Sequence, residues 1–575
     1  MGRIGLLRLD LQERHGWLRS ESQKPARHHV AFVALLTLGS AAIRSVIAFR
    51  GGLWRDEALF LGIVNLPTWN ETVGFLRLHE SHPPLYYAMV RGWLTVTGWT
   101  DRNALLLSII FGVLLVPTVY LVGRLWFGST TGLISAALIA ILPSVNADGS
   151  TARPYAFLTL VVLISTYLLV SALESGRLAT WLGHGVSTGV LVLTHNWAWL
   201  VVMGMSVAAV NHARSALRPS RVLAGLAMSL TTCIAISLPW LSTLLFQTRV
   251  AGHAGVSISG IADVGLLLTY AAYVTVSSTL LPSLGGDRWM AISAVALAAG
   301  VLILGRLATT GSVGDENARL NRQAIRAILT IAGVSIFVAT MLSPSTNLLV
   351  GRCLATLSPL LLLGVVARAT HWMRSSGDPQ RRATVLAVGI VLVGVYASVI
   401  VDLTRKPRSN ARELAATVEQ RQHAGDLVVV SPGWLGSSFN HYTRTPTSQV
   451  VYTGIPQSPL FDFTNLARRL SDSTLFRAVY DQILNAADGN RRVWLISDSF
   501  SFKPVNDDDR LKASKGAPGS LGKVRTEEIR RLLYGRFGKP VWSAPMPEAA
   551  PTLELLTAEL FAASANSPPV RAPLE

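Results

Sequence analysis

From residue 30 to residue 401 the chain alternates long apolar runs with short polar breaks, and beyond residue 402 the long runs stop. Runs of about 18 to 22 apolar residues match a hydrocarbon core of roughly 30 Å. The pattern predicts eleven transmembrane helices, near 30–49, 104–125, 131–147, 152–173, 181–196, 197–211, 221–246, 288–307, 326–343, 353–371 and 383–401. The pair within 181–211 is short and closely spaced. Segment 263–284 is apolar but rich in Ser, Thr and Tyr, and reads as an interfacial or re-entrant helix on the outer side. In 402–575 short β-rich runs, DLVVVS, QVVYTGI and RVWLISDS, alternate with stretches of helical period such as ARELAATVEQRQ. That alternation predicts a small α/β domain with a disordered end, ANSPPVRAPLE. The expected organisation is a tail over 1–29, a helical membrane domain over 30–401 with its first outer loop at 50–103, and the α/β domain.

Composition narrows the class. Half of the 575 residues are hydrophobic and only 15% are charged, too few to cover a soluble protein of this size. Cys233 and Cys353 both lie in apolar stretches, which excludes a disulfide framework and a cysteine-built zinc site. The formal charge is +18, yet the basic residues sit between apolar runs and form no soluble face for nucleic acid. They instead fix an orientation. With residues 1–29 cytoplasmic, the tail and the loops around Arg214–Arg221, Arg319–Arg326 and Arg374–Arg382 lie inside, as the positive-inside rule requires. An odd number of spans then places 402–575 outside. The tail carries no cleavable signal pattern, so a multi-pass plasma-membrane protein is expected.

Polar chemistry gathers on the outer face. Asp56 and Glu57 follow the first span directly in GGLWRDEALFLG. An acid pair at a membrane surface beside Trp54 and Phe60 is partly desolvated, which raises carboxylate basicity and suits a general base. Acids in a first helical turn also serve as plain caps. In HESHPPLYYAMVRGW, Pro83–Pro84 hold His82 at a helix mouth and place Tyr86, Tyr87 and Trp93 at headgroup depth. Arg153 in STARPYAFLTL, His195 in LTHNWAWL and Arg352 in VGRCLATLSPLLLL open spans from the same side. A lone arginine there snorkels to lipid phosphate, whereas these cations with His82 around an acid pair outline a site for a phosphate-bearing lipid.

The motifs WRDEA, HPPLYY, ARPYA, TH before an aromatic and GRCLATLSP, in this order over residues 30–370, resemble the GT-C glycosyltransferases. The nearest branch is protein O-mannosyltransferase-like (family 39), which includes the lipid A aminoarabinose transferase. GDLVVVSPGW…HYTR resembles the outer tail of bacterial members. Cys353 and Asn196 depart from the pattern, where Tyr and an aromatic are usual. The resemblance implies inverting transfer of a sugar, mannose or another hexose or pentose, from a polyprenyl-phosphate donor to a glycan, lipid or protein acceptor. It also implies Asp56 as base. Glu57 would then orient the acceptor or the sugar, and His82, Tyr86, Arg153, His195 and Arg352 would bind substrate. Some relatives hold a divalent cation, for which His79, His82 and Asp56 are the candidate ligands. No HExxH or similarly spaced set stands in the chain, so no metal is expected to be required. The rival reading is a transporter or flippase of lipid-linked sugars, which would place ionisable groups near the midplane of its spans. The outer α/β domain shows no nucleophile elbow and is expected to shape or recruit the acceptor.

Overall fold

The computed structural model describes residues 25–80, 82–250, 316–346, 351–375, 379–443, 449–453, 460, 462, 466–514, 516–545, 547 and 551–562. Segment 263–284, the span 288–307 and the end 563–575 lie outside the described residues.

Among the described residues, six helices are long and apolar enough to cross a membrane. They are Arg27–Phe49, Asp101–Phe127, Tyr155–Ser175, Pro219–Gln247, Leu320–Ala339 and Pro379–Arg405. Each coincides with a predicted span. Four further predicted spans are shorter or broken. Run 131–147 divides into Ser129–Ile141 and Pro143–Asp148, because Leu142 precedes a proline and is held extended at ψ 119°. Run 353–371 divides into Gly351–Ala355 and Ser358–Ser375. Run 181–196 becomes the 17-residue apolar helix Leu178–Thr194. Run 197–211 becomes Ala198–Ser215, whose last turns carry Asn211, His212 and Arg214. Among the described residues, six of the eleven predicted spans are thus helices of full length and apolarity. Leu178–Thr194 packs on Pro219–Val250, Ala198–Ser215 on Glu316–Thr346, and Asp101–Phe127 on Ser129–Ile141. Leu158, Val162, Leu163, Leu191, Val201, Met205, Ile331 and Leu360 form their shared core.

Three short helices, Arg55–Val64, Trp69–His79 and Leu85–Thr97, fill the loop after the first span. Phe60, Ile63, Leu76, Tyr86, Tyr87 and Val90 bury their common interior, and Phe476 and Leu521 from the C-terminal part enter the same cluster. That part holds one five-stranded sheet in the order β2-β1-β3-β5-β4. Its strands are β1 Leu427–Val430, β2 Gln449–Tyr452, β3 Val493–Asp498, β4 Trp542–Ser543 and β5 Leu556–Phe561. β1 runs parallel to β2 and β3, while β5 is antiparallel to β3 and β4. β1 and β3 are buried along their whole length, because side chains on both faces of the sheet meet packed apolar clusters.

Two latches join the sheet domain to the helices. Gly52 N–H donates to the Ser409 carbonyl at 3.0 Å and Arg408 N–H to the Arg50 carbonyl at 3.1 Å. Gly51 permits this approach. It sits at φ +83°, and a Cβ there would lie 2.7 Å from the Ser409 carbonyl oxygen. At the second latch Asp101 accepts from His441 Nε2 at 2.8 Å, the Tyr442 hydroxyl at 3.0 Å and Arg412 Nη2 at 3.3 Å.

Candidate active site

The helix Arg55–Val64 starts from an extended Trp54, and Glu57 Oε2 accepts the Trp54 N–H at 3.3 Å, as a third-position acid does in a capping box. Glu57 does more than cap. It is fully buried, its carboxylate accepts the Ala152 N–H at 2.8 Å, and Arg408 Nη1 lies 2.6 and 2.7 Å from its two oxygens. The same Arg408 nitrogen donates to the Ser150 carbonyl at 3.3 Å. Glu57, expected to orient acceptor or sugar, is here held by Arg408, Trp54 and Ala152. It positions the turn 150–153 against the helix Arg55–Val64.

Asp56, one residue earlier, keeps 29% of its side chain exposed, with Arg55 Nε at 3.8 Å. It borders a cavity of about 180 Å³ formed by Arg55, Asp56 and Leu59 on one side and Trp434, Ser437 and Pro518 of the sheet domain on the other.

Arg153 leads into the helix Tyr155–Ser175 and is 6% exposed. Its Nη1 donates to the Asp56 carbonyl at 3.4 Å and its Nη2 to His82 Nε2 at 3.3 Å, while Nε has no hydrogen-bond partner among the described residues. Burial works against its charge, and the neighbouring Tyr155, Tyr87, Asp56 and Glu80 outweigh it, holding the guanidinium above its ordinary value. Because Arg153 can only donate, His82 Nε2 must accept. The ring proton then sits on Nδ1, 2.7 Å from Glu80 Oε1. His195 meets His82 edge to face at 4.9 Å, and its Nδ1 accepts the Trp197 N–H at 3.1 Å. Burial first, then His82 and Arg153, push the His195 imidazole well below the usual histidine range, so it is neutral. Arg153 carries the charge at the centre of this cluster, and His195 is a neutral polar neighbour.

Tyr86, expected to bind substrate, sits among packed side chains. It is 1% exposed, packs against Phe60 at 5.6 Å, and its hydroxyl is bonded to Ser108 at 2.6 Å, so it belongs to the core. Arg352 lies in Gly351–Ala355 next to Cys353, whose Sγ is 3.9 Å from His195 Nε2. The helix bearing Arg352 therefore abuts the cluster. The candidate metal ligands do not assemble. His79 Nδ1 faces Asp462 Oδ2 at 3.3 Å, His82 is engaged as above, and among the described residues no three His, Cys, Asp or Glu side chains converge.

Three groups escaped the sequence reading. Arg408 is one, and Glu80 another. The third is Glu554, whose Oε2 lies 3.3 Å from the Ser409 hydroxyl. Burial pushes the Glu554 carboxyl up to about 7. Arg55 and a Ser438 hydrogen bond oppose this, and the charges of Asp56 and Asp498 add to it. Within the bundle, Arg44 is fully buried, and a Cβ on Gly112 or Gly149 would lie 2.6 Å from its Nε. Both glycines leave room for that guanidinium.

Residues 81–242 match the family described as dolichyl-phosphate-mannose-protein mannosyltransferase. No curated protein sequence matches the chain. Among solved structures, the oligosaccharyltransferase AglB from Archaeoglobus fulgidus, in complex with an inhibitory peptide and a dolichol-phosphate, is similar at 11% identity. The alignment covers 86% of this chain and 72% of that one, with a TM-score of 0.48. ArnT from Cupriavidus metallidurans bound to undecaprenyl phosphate is similar at 12% identity over 94% of this chain and 99% of that one, with a TM-score of 0.41. The Pmt1-Pmt2 protein O-mannosyltransferase of S. cerevisiae, bound to the sugar donor, is similar at 15% identity over 44% and 37%, with a TM-score of 0.32. The family match is thus confined to residues 81–242, the stretch that carries His82, Tyr86, Arg153 and His195.

Proposed function

We propose that the protein is an inverting glycosyltransferase that moves a sugar, mannose or another hexose or pentose, from a polyprenyl-phosphate donor to an acceptor hydroxyl at the outer face of the plasma membrane. The observation that carries the reading is the cluster in which Arg153 bridges Asp56 and His82 beside a cavity open to Asp56. The reaction needs little else. The acceptor oxygen attacks the anomeric carbon, its proton passes to the Asp56 carboxylate, and the bond from that carbon to the phosphate oxygen breaks. One displacement inverts the anomeric centre. A base held in this way is worth about 10²–10⁴ in rate.

The departing phosphate gains charge as the bond breaks, and Arg153 is the group suited to receive it. Its Nε–H is a buried donor with no hydrogen-bond partner among the described residues, and a phosphate oxygen would satisfy it. His82 and Glu80 hold the guanidinium from the other side, and Glu57 with Arg408 fixes the turn that carries it. No step is assigned to a metal. The N-terminus is cytoplasmic, residues 402–575 lie outside, and that domain walls the acceptor side of the cavity with Trp434, Ser437 and Pro518.

The test is turnover by the purified full-length protein in lipid vesicles supplied with radiolabelled polyprenyl-phosphate sugar. Release of polyprenyl phosphate with label on an acceptor or on water supports transfer. Movement of intact labelled donor across the vesicle without bond cleavage would establish a flippase instead.

A further inference from the structure

The helices that carry the site run on through the bundle to its other end. Tyr155–Ser175 begins beside Arg153, and its 21 residues span about 30 Å at 1.5 Å per residue, the thickness of a hydrocarbon core. Ala198–Ser215 begins beside His195 and runs alongside. At their far ends, and so at the opposite membrane surface from Asp56, lies a cavity of about 670 Å³. Arg218, Arg221, Arg322 and Arg326 line it, with Glu174 as the single carboxylate.

We propose that this cavity binds the phosphodiester headgroup of an anionic phospholipid. Four guanidinium groups against one carboxylate leave a strong net positive field in a concave space of ligand size. The side chains of Arg218, Arg221 and Arg326 make no hydrogen bond or ion pair among the described residues. Arg221 lies in the first turn of Pro219–Val250, where the free N–H groups and the positive pole of the helix already favour an anion. A cation placed there is unfavourable until an anion joins it. The positive-inside rule accounts for an excess of arginine on this face. It does not account for two stretches about 100 residues apart in sequence, 218–221 and 322–326, meeting across one cavity. The rim identifies the source of the phosphate. Leu217 is 99% exposed beside Arg218 on the cavity's lining, an apolar side chain open to an acyl chain. Basic pockets between membrane helices take lipid headgroups in this way.

Each arginine near a membrane surface is worth about a factor of five in affinity for an anionic lipid, so three together are worth about a hundredfold. The full-length protein, delipidated in a neutral detergent, is titrated with phosphatidylglycerol, phosphatidylcholine or glycerol phosphate. Bound lipid is read by native mass spectrometry, and the unfolding midpoint is followed in parallel. Phosphatidylglycerol is expected to bind and to raise the midpoint, and the other two to do neither. The Arg218→Gln/Arg221→Gln/Arg326→Gln protein should bind phosphatidylglycerol about a hundredfold more weakly, and Glu174→Gln about fivefold more tightly. Should the triple variant fail to fold, Arg326→Gln and Glu174→Gln decide the matter by their opposite signs. Equal affinity in the arginine variants and the parent overturns the site, and glycerol phosphate binding as tightly as phosphatidylglycerol overturns the lipid assignment.

Discussion

Arg408 and Glu57 stand 351 residues apart in the chain and 2.6 Å apart in space, both fully buried. Their pairing couples the sheet domain to the turn 150–153. The segment Thr552–Glu554 donates backbone N–H groups to Pro407 and Arg408, the Arg408 guanidinium grips Glu57 and Ser150, and Glu57 grips Ala152, next to Arg153. A buried ion pair of this kind is weak evidence of added stability, because desolvating two charges offsets their attraction. It is good evidence of a fixed geometry. Removing either partner leaves the other charge buried and alone.

Asp56 and Glu57 are therefore expected to separate turnover from stability. Asp56→Asn removes the proton acceptor from a partly exposed side chain and should lower turnover by about 10²–10⁴ while changing stability by about 0.5 kcal/mol or less. Glu57→Gln leaves Arg408 unpaired and should destabilise the protein by about 3–5 kcal/mol. Turnover under saturating donor and unfolding of the same preparations measure the two quantities. Near-wild-type turnover in a folded Asp56→Asn protein removes Asp56 as the base.

A chain cut after residue 402 lacks Arg408 and with it the counter-charge of Glu57. Transfer and donor hydrolysis should both disappear, since the turn bearing Arg153 loses its anchor. This reverses the expectation that the outer domain serves the acceptor alone. The double variant Glu57→Met/Arg408→Met is the control. It replaces the pair by apolar groups of similar volume and should regain most of the stability lost in either single variant. Donor hydrolysis by the truncated protein at the parent rate would show that the turn holds without the latch.

The six full-length apolar helices were legible because hydropathy over 18 residues is a local property. Proline placed the break at Leu142–Pro143, and a window average passed over it. Asp56 and Glu57 were visible as a pair but not as two different residues. Both are followed at the third, fourth and seventh positions by buried apolar side chains, Leu59, Phe60 and Ile63 for one and Phe60, Leu61 and Val64 for the other. Helical period alone assigns both to the same broad face. Only the arrival of Arg408 from the distant linker separates them, and no periodicity within KPRSN announces that contact. The partners of His82 were hidden for the same reason. They are Glu80 two residues away and Arg153 from another loop.

Orientation is open to direct measurement. Cys233 and Cys353 are buried, so single cysteines at exposed positions report cleanly. Lys503→Cys lies in the sheet domain and Ser220→Cys at the opposite end of the bundle, and both positions are exposed. An impermeant thiol reagent on intact cells should label the first and spare the second. The reverse pattern would turn the bundle over and remove Asp56 from the outer surface.

Glu554 gives a pH signature of defined sign. Its carboxyl is pushed up to about 7 from an ordinary 4.5, chiefly by burial. Between those two values the native state retains a proton that the unfolded chain has released, so the unfolded state binds fewer protons and stability falls as pH rises. The stabilising share is complete below pH 4.5 and is lost by the time pH has passed through 7. At 1.36 kcal/mol per pH unit it amounts to about 3 kcal/mol. Unfolding of the full-length protein, followed by tryptophan fluorescence at pH 5 and pH 8, should show this loss. Glu554→Gln keeps the shape and cannot ionise, so its stability should lack that part of the slope and exceed the parent's at pH 8. Equal slopes in the two proteins would mean that Glu554 titrates as an ordinary carboxyl, and that Arg55 neutralises it in place beside Asp56 and Asp498.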